Sequence, residues 1–257
     1  MATVRRDGEP WVDVRAPDDV DQPPRRWESV PTRRVVWGGL VVTALLVVVD
    51  QALKYVDMYV RDVPGWLVAF DVNRENNVPT AWNALLMLAA GAVAALCATL
   101  ADGGSRPGRR SWVVVALLTV FLGIDELARL HERLRGPSLQ LSGGAMHAIP
   151  LYAWLLLGSV LGLVALGLAL WWARSLPRDV RSMFLAGVLL FGTGAVAVEA
   201  VGSYVDNTRG VGRIYFGITA VEETLEMVGA LLVTVAFLRM LRTTVVDGRR
   251  AVALRRP

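Results

Sequence analysis

The sequence is poor in the residues that most often cross-link a fold or hold a metal ion. It contains one cysteine, Cys97, two histidines, and a single lysine among its 27 basic residues. A single cysteine excludes an internal disulfide framework and a cysteine-rich metal site. The first 30 residues contain no apolar run of the kind found in cleavable signal peptides, so we expect no such peptide.

Long apolar runs are what the chain has instead. Hydrophobic residues make up 54% of its 257 residues, and the mean hydropathy is +0.45. Six segments approach the roughly 20 residues that an α-helix needs to cross a bilayer. They are residues 35–56, 80–100, 111–132, 151–173, 182–205 and 214–240. The sequence therefore predicts an all-α fold, a polytopic transmembrane bundle of six helices.

The flanking sequence divides the chain into three predicted regions. Residues 1–34 are rich in arginine and proline, and we expect a disordered cytoplasmic tail there. Residues 35–240 form the six-helix transmembrane domain. Residues 241–257 form a second basic tail, also cytoplasmic.

Arginine is distributed unequally between the two sides of the predicted bundle. The tails and the loops after the second and fourth spans carry 19 arginines, whereas the opposite side carries six. Because positive charge collects on the cytoplasmic side of membrane proteins, both termini are predicted in the cytoplasm. We expect a multi-pass protein of the bacterial inner (plasma) membrane. The net charge of +4 then reflects topology, and we expect no nucleic-acid partner.

Ionisable residues interrupt the apolar runs on one side. The third span ends in GIDELARLHER (123–133), the fifth in EAVGSYVD (199–206), and the sixth begins with EETLEM (222–227). Charged side chains in hydrocarbon cost roughly 2.5–3.5 kcal/mol each on insertion scales and usually serve a function. Because odd-numbered spans run outward and even-numbered spans run inward, these segments are predicted to converge in the extracytoplasmic half.

Some of these charges have evident partners. Asp50 and Lys54 lie four residues apart, and we expect an ion pair. Helical periodicity places Asp125, Arg129 and Glu132 on one face, which makes Arg129 a second ion-pairing cation. The outer half holds ten acidic residues against these two cations. The remaining carboxylates must hold protons, bind a cation or line water.

Imidazole and carboxylate groups without thiolate suit zinc, iron or manganese. Both histidines fall on the acidic side, so we predict a divalent metal site there. The predicted ligands are His131, Glu132, His147, Glu199, Glu222 and Glu226. Asp125 or Glu126 is the predicted general base. The depth of the site in the membrane indicates a lipid or amphiphilic substrate.

Asp125 and His131 near one span end, with Ser203 on another span, make the chain distantly similar to membrane hydrolases of the alkaline ceramidase type. That resemblance implies a multi-span bundle with a buried zinc ion held by histidines and assisted by aspartate and serine. Those enzymes use three histidines, and this chain has two. The DE-x4-HE and EE-x2-E segments also resemble those of uncharacterised bacterial multi-span membrane proteins, which implies no activity.

Three kinds of function fit these observations. The leading hypothesis is a metal-dependent hydrolase or oxidase. A proton- or cation-coupled transporter would also use clustered membrane carboxylates, although the inner halves of the spans are almost entirely apolar. The third is a subunit of a membrane complex whose acidic pocket binds a basic helix. The sequence leaves the choice between enzyme and transporter open, as well as the oligomeric state.

Overall fold

The structure, a computed structural model, describes residues 27–74, 76–246 and 249–255. The predicted tail residues 1–26 lie outside the described residues. The α-helices are α1 (Arg33–Tyr59), α2 (Pro64–Phe70), α3 (Val78–Leu100), α4 (Arg109–Ala128), α5 (Arg135–Leu141), α6 (Trp154–Ala173), α7 (Arg178–Gly192), α8 (Glu199–Arg209) and α9 (Arg213–Leu238). Short 3₁₀ helices, His131–Leu134 and Ala145–His147, precede α5 and α6. A π-helical segment, Thr193–Val198, joins α7 to α8.

Five helices among the described residues are long and apolar enough to cross a membrane. They are α1, α3, α4, α6 and the continuous rod of α7, π segment and α8, Arg178–Arg209. Only 6% of the apolar window of α6 is buried, so most of its leucine and valine side chains are at least partly exposed. Helix α9 is 26 residues long and carries three glutamates. The fold is therefore mostly helical, with five helices suited to a multi-pass membrane protein.

Helix α9 lies at the centre of the bundle. It packs against α1, α3, α7 and α8, and its second half is buried almost throughout. Met227, Leu231 and Val235 recur every four residues along it and join Leu46 and Met87 in one apolar cluster. This packing carries the glutamates in the first half of α9 into the middle of the protein.

Both ends of the described chain meet at one end of the bundle, which we call the sheet end. Strand β1 (Glu28–Ser29) pairs with β2 (Leu241–Val246), and β2 pairs with β3 (Arg249–Leu254), all antiparallel. These strands fall in the two predicted tails, because a short hairpin paired with a two-residue strand has too weak a local signal to predict.

An aromatic cluster fills the bundle beneath the sheet. Trp112 is fully buried, and its ring packs edge-on against Trp172 and Phe237, with centroids 5.1 and 5.5 Å away. Phe184 completes the cluster against Trp172 at 5.2 Å. These buried aromatic rings belong to a large apolar core cluster at this end of the fold.

Candidate metal centre

Opposite the sheet end, the C-terminal ends of α1, α4 and α8 meet the N-terminal ends of α3, α6 and α9. We call this region the polar end. Asn83 of α3 hydrogen-bonds Glu226 of α9, and Tyr152, just before α6, hydrogen-bonds Asp206 of α8. The three acidic segments found in the sequence therefore lie in one region of the structure.

Three glutamates form the centre of the polar end: Glu126 of α4 with Glu223 and Glu226 of α9, which we call the glutamate cluster. One carboxylate oxygen of each lies within 4.8 Å of the other two. Glu226 is buried, at 8% exposure, and the other two are partly buried. Glu222 and Glu199 lie close enough to interact electrostatically with Glu226. Five carboxylates thus share a small region surrounded by apolar helices.

Asn83 faces the glutamate cluster from α3. Its side chain is fully buried, and its Nδ2 donates to Glu226 Oε2 at 3.4 Å. Its Oδ1 has no hydrogen-bond partner among the described residues, which is also true of Ser138 Oγ and of the indole nitrogens of Trp112 and Trp172. Unlike the indole nitrogens, Asn83 Oδ1 is an acceptor beside a carboxylate, so a cation is a partner that would suit both groups.

Close packing of α3 and α4 sets the position of Glu126. A Cβ placed on Gly123 would lie 3.2 Å from the Ala84 carbonyl oxygen and 3.2 Å from Met87 Cβ. A larger residue at Gly123 would force the two helices apart. Glu126 follows Gly123 by one helical turn, which brings it to the level of Asn83.

The π-helical segment Thr193–Val198 presses against the other side of the glutamate cluster. A Cβ on Gly194 would lie 2.8 Å from Glu226 Cγ and 2.8 Å from the Glu222 carbonyl oxygen. Only glycine therefore fits at this point. Single π turns inside α-helices are rare and concentrate at functional sites.

The chain reverses direction after α4 and folds His131 back over Asp125. Helix α4 ends at Ala128, and Arg129 adopts the left-handed conformation (φ 53°, ψ 43°), which is uncommon outside glycine. The backbone N–H of His131 donates to Asp125 Oδ1 at 2.7 Å, and its Nδ1 lies 3.0 Å from Asp125 Oδ2. The predicted continuous helix to Glu132 is therefore wrong, as is the shared face of residues 125, 129 and 132.

Asp125 fixes the orientation of the His131 imidazole. A carboxylate partner commonly plays this part for histidines that bind metals or transfer protons. The His131 ring also lies 4.8 Å from the Trp154 ring, centroid to centroid, and within electrostatic range of Glu222. His131 thus lies within electrostatic reach of Glu222, with its orientation set from two sides.

The other predicted ligands lie farther out in the part of the chain that the structure describes. Glu132 is half-exposed, and its Oε1 lies 3.5 Å from Arg129 Nη2. His147 is exposed on the 3₁₀ helix Ala145–His147. Of the predicted ligands, Glu226 belongs to the glutamate cluster, and the predicted base Glu126 lies there as a third carboxylate.

Glu223 and Asn83 carry no predicted role. Glu223 precedes Glu226 by three residues, so the two lie on one face of α9. That spacing is the signal from which the pair could be found. Asn83 has no such signal, because its neighbour Glu226 is 143 positions away in the sequence.

A sequence model of one protein family, described as Domain of unknown function (DUF8692), matches residues 39–241. The chain belongs to this family. No curated protein and no solved structure matches it. The DUF8692 region begins in α1 and ends at the start of β2, so it contains the whole glutamate cluster. The family description names no activity and adds no support to the likeness to ceramidases.

A buried ion network fixes α1 of the DUF8692 domain to the polar end. Lys54 Nζ lies 2.8 Å from Asp50 Oδ1 and 2.9 Å from Asp71 Oδ1, which confirms the predicted pair and adds a second acid. Asp50 also accepts the backbone N–H of Val72 at 3.1 Å, and Lys54 lies over the Phe216 ring of α9. The only lysine in the sequence is therefore engaged in holding α1 to its neighbours.

Two tyrosines form a second hydrogen-bond network at the polar end of the DUF8692 domain. Tyr152 Oη donates to Asp206 Oδ2 at 2.9 Å, and Tyr215 Oη donates to Asn73 Oδ1 at 2.8 Å. Ser203 Oγ accepts the backbone N–H of Tyr152 at 2.6 Å, which gives this serine a structural role.

Proposed function

We propose that this chain is a six-helix integral membrane protein whose glutamate cluster binds a divalent metal ion, used for hydrolysis of an amphiphilic molecule in the bilayer. One observation carries the proposal: three carboxylates meet beside a buried amide oxygen, Asn83 Oδ1, that lacks a partner among the described residues.

The charge of the glutamate cluster calls for a cation. Carboxylates within 4.8 Å of one another repel strongly where the surroundings are apolar. Lys54, the buried cation of the polar end, is already held by Asp50 and Asp71. A divalent ion between the glutamates offsets their repulsion and gives Asn83 Oδ1 the partner that a buried carbonyl oxygen needs.

The chemistry of the donor atoms narrows the choice of metal ion. Three carboxylates and one amide oxygen form an all-oxygen set, which suits Mn²⁺ and Mg²⁺ better than softer ions. Manganese is therefore the best fit among the zinc, iron and manganese that the sequence predicts. His131, oriented by Asp125, adds a group that can take up a proton at the edge of the site.

Helix length supports a sixth span. The 26 residues of α9 extend about 39 Å, enough for a hydrocarbon core of about 30 Å. Glu223 and Glu226 of α9 face Glu126 of α4 inside the bundle. Carboxylates of membrane-spanning helices usually face the bundle interior in this way. The excess of arginine at the sheet end favours a cytoplasmic location for that end. The polar end then faces the extracytoplasmic side of the inner (plasma) membrane.

The place of the site favours hydrolysis of an amphiphile. A divalent ion polarises a carbonyl or phosphoryl oxygen and activates water for attack. The glutamate cluster lies near the polar end, among helices whose outer faces are apolar. A molecule with a polar head and an apolar chain can present its head to the cluster while its chain stays in hydrocarbon.

The test is manganese binding by protein purified in mild detergent, followed by electron paramagnetic resonance and elemental analysis. We expect about one Mn²⁺ per chain in the wild type. Glu226→Gln and Glu223→Gln should both lose it, because each removes one anionic donor from the cluster. Glu132→Gln is the matched control, since Glu132 is half-exposed and paired with Arg129, and it should retain the metal.

Two results would overturn the proposal. Wild-type protein that binds neither Mn²⁺ nor Mg²⁺ would show that the glutamates hold protons, which is the basis of the transport hypothesis. Equal binding by wild type and Glu226→Gln would place the metal elsewhere. Circular dichroism and gel filtration of each variant separate loss of the site from loss of the fold.

A further inference from the structure

An apolar groove runs along the outer surface of the bundle between α8 and α9. Val198 and Val201 form one wall, Ile214, Ile218 and Val221 form the other, and Gly217 lies between them. It is shallow and open to its surroundings along most of its length. All of its lining is hydrocarbon or glycine.

The groove opens sideways, toward the position of the bilayer. Val201, Ile214 and Val221 are 53%, 56% and 53% exposed, although all three are large and apolar. Both helices belong to the predicted spans. Hydrocarbon is the medium that these side chains would face in a membrane.

The inner end of the groove adjoins the acidic residues. A Cβ on Gly202 would lie 3.4 Å from Ile218 Cγ2 and 3.7 Å from Glu222 Oε2. The bare backbone at Gly202 thus lets the groove wall and a carboxylate lie side by side. Glu222 in turn interacts electrostatically with Glu126 of the glutamate cluster.

The length of the groove suits a short run of methylenes, because Ile214 and Val221 lie about 10 Å apart at 1.5 Å per residue. Its apolar lining leads to acidic residues at one end, which is the arrangement that an acyl chain with a polar head requires. A helix from another chain is the competing occupant, and cross-linking distinguishes the two.

We propose that this groove binds the acyl chain of the amphiphile whose polar head reaches the glutamate cluster past Glu222. This inference rests on the proposed function, because it assigns the substrate of that same site. The site then favours a molecule with an uncharged or cationic head, since the five carboxylates of the region outnumber the charges of one divalent ion.

Gly217→Leu tests the groove directly. A Cβ at Gly217 meets no described atom within 4 Å, so a leucine there fills the groove without a clash. Gly167→Leu is the matched control, because Gly167 is an exposed helical glycine of α6 with equally open surroundings and lies outside the groove. Both changes add the same side chain and raise helix propensity equally.

The probe is a monoacylglycerol with a diazirine on its acyl chain, reconstituted with the protein in nanodiscs and activated by light. Mass spectrometry of the labelled peptides should find the label concentrated on residues 197–201 and 214–221. Gly217→Leu should reduce that label to the level of the lipid-facing surface of α6, and Gly167→Leu should leave it unchanged. Val201→Phe, which fills the groove from its other wall, should act like Gly217→Leu.

Manganese binding on the same samples separates the two proposals. Metal binding without groove labelling overturns the acyl-chain site and keeps the metal site. Groove labelling without metal binding overturns the proposed function and keeps the chain site. Labelling spread evenly over all lipid-facing helices, labelling that survives both groove variants, or cross-links from the groove to a second protein chain would each overturn the inference.

Discussion

The two ends of the bundle stabilise the same helices in different ways. At the sheet end, Trp112 and its aromatic neighbours fill the interior with apolar surface. At the polar end, a lysine is held between two aspartates, and three glutamates lie beside a buried asparagine. Apolar packing is favourable without any partner, whereas buried carboxylates are unfavourable unless something offsets their charge. The sheet end therefore contributes stability through apolar packing, whereas the glutamate cluster of the polar end consists of groups that a purely structural helix bundle would not need.

Removing Trp112 should have the largest effect on stability. Trp112→Ala leaves a large cavity, and we expect the free energy of unfolding to fall by about 3–5 kcal/mol. Manganese affinity of the folded protein should stay the same, because the site lies at the opposite end. Unfolding in detergent mixtures measures the free energy of unfolding, and titration with Mn²⁺ measures the manganese affinity. Trp171→Ala is the control, because Trp171 is 67% exposed; comparable destabilisation by the two variants would contradict the comparison.

Breaking the Lys54 network should have the second-largest effect on stability. Lys54→Met leaves Asp50, which is 1% exposed, without its cation, and we expect a loss of about 3 kcal/mol. The double change Lys54→Met with Asp50→Asn should recover part of that loss, since no uncompensated charge is then buried. The same unfolding assay measures both. An unaffected Lys54→Met protein would mean that the network contributes little to the attachment of α1.

Metal-dependent stability distinguishes the two ends most directly. Wild-type protein should gain about 2.7 kcal/mol at a free Mn²⁺ concentration 100 times the Kd, because the ion binds only the folded state. Glu226→Gln should lose this gain and, without metal, should be at least as stable as the wild type, because one repelling charge is removed. Thermal unfolding with and without Mn²⁺ measures both. Loss of the metal-dependent gain in Glu132→Gln as well would argue against the assigned ligands.

The smallest effect is expected from an exposed ion pair at the sheet end. Arg255 Nη1 lies 2.7 Å from Asp179 Oδ2, as close as Lys54 lies to its acids, but the two side chains are 26% and 50% exposed. Arg255→Ala should change the free energy of unfolding by no more than about 0.5 kcal/mol. A loss as large as that of Lys54→Met would show that burial does not decide the strength of the pairs in this protein.

The helices and the acidic segments follow from patterns within the sequence. Apolar runs predict the long helices, and the EETLEM segment leads to Glu226. The reversal at Arg129 does not follow, because a left-handed arginine depends on the packing around it, and helical periodicity extends past it without interruption. Glu126 is predicted as a base, whereas it lies among the carboxylates as a candidate ligand, because its place depends on contacts with α9 that local sequence does not show.

Contacts between residues far apart in the sequence could not be predicted. Asn83 reaches Glu226 only because α3 packs beside α9, and β1 pairs with a strand more than 200 positions later. Neither neighbour can be identified from local composition. Interior glycines such as Gly194 give a weak signal as well, because a close approach and an ordinary helical glycine look the same in a single sequence.

The π-helical segment Thr193–Val198 has a consequence at the level of the gene. A π turn holds one residue more than a regular helix requires, and each residue turns an α-helix by about 100°. Deleting one codon in this segment would leave an unbroken rod but rotate everything after it, including Glu199 and the valines of the groove, away from α9. A single-codon insertion in an ordinary membrane helix is therefore enough to create this side of the site. Relatives whose α7–α8 rod lacks that codon should keep the fold, but should lack both an acidic residue at the position of Glu199 beside the glutamate cluster and the groove.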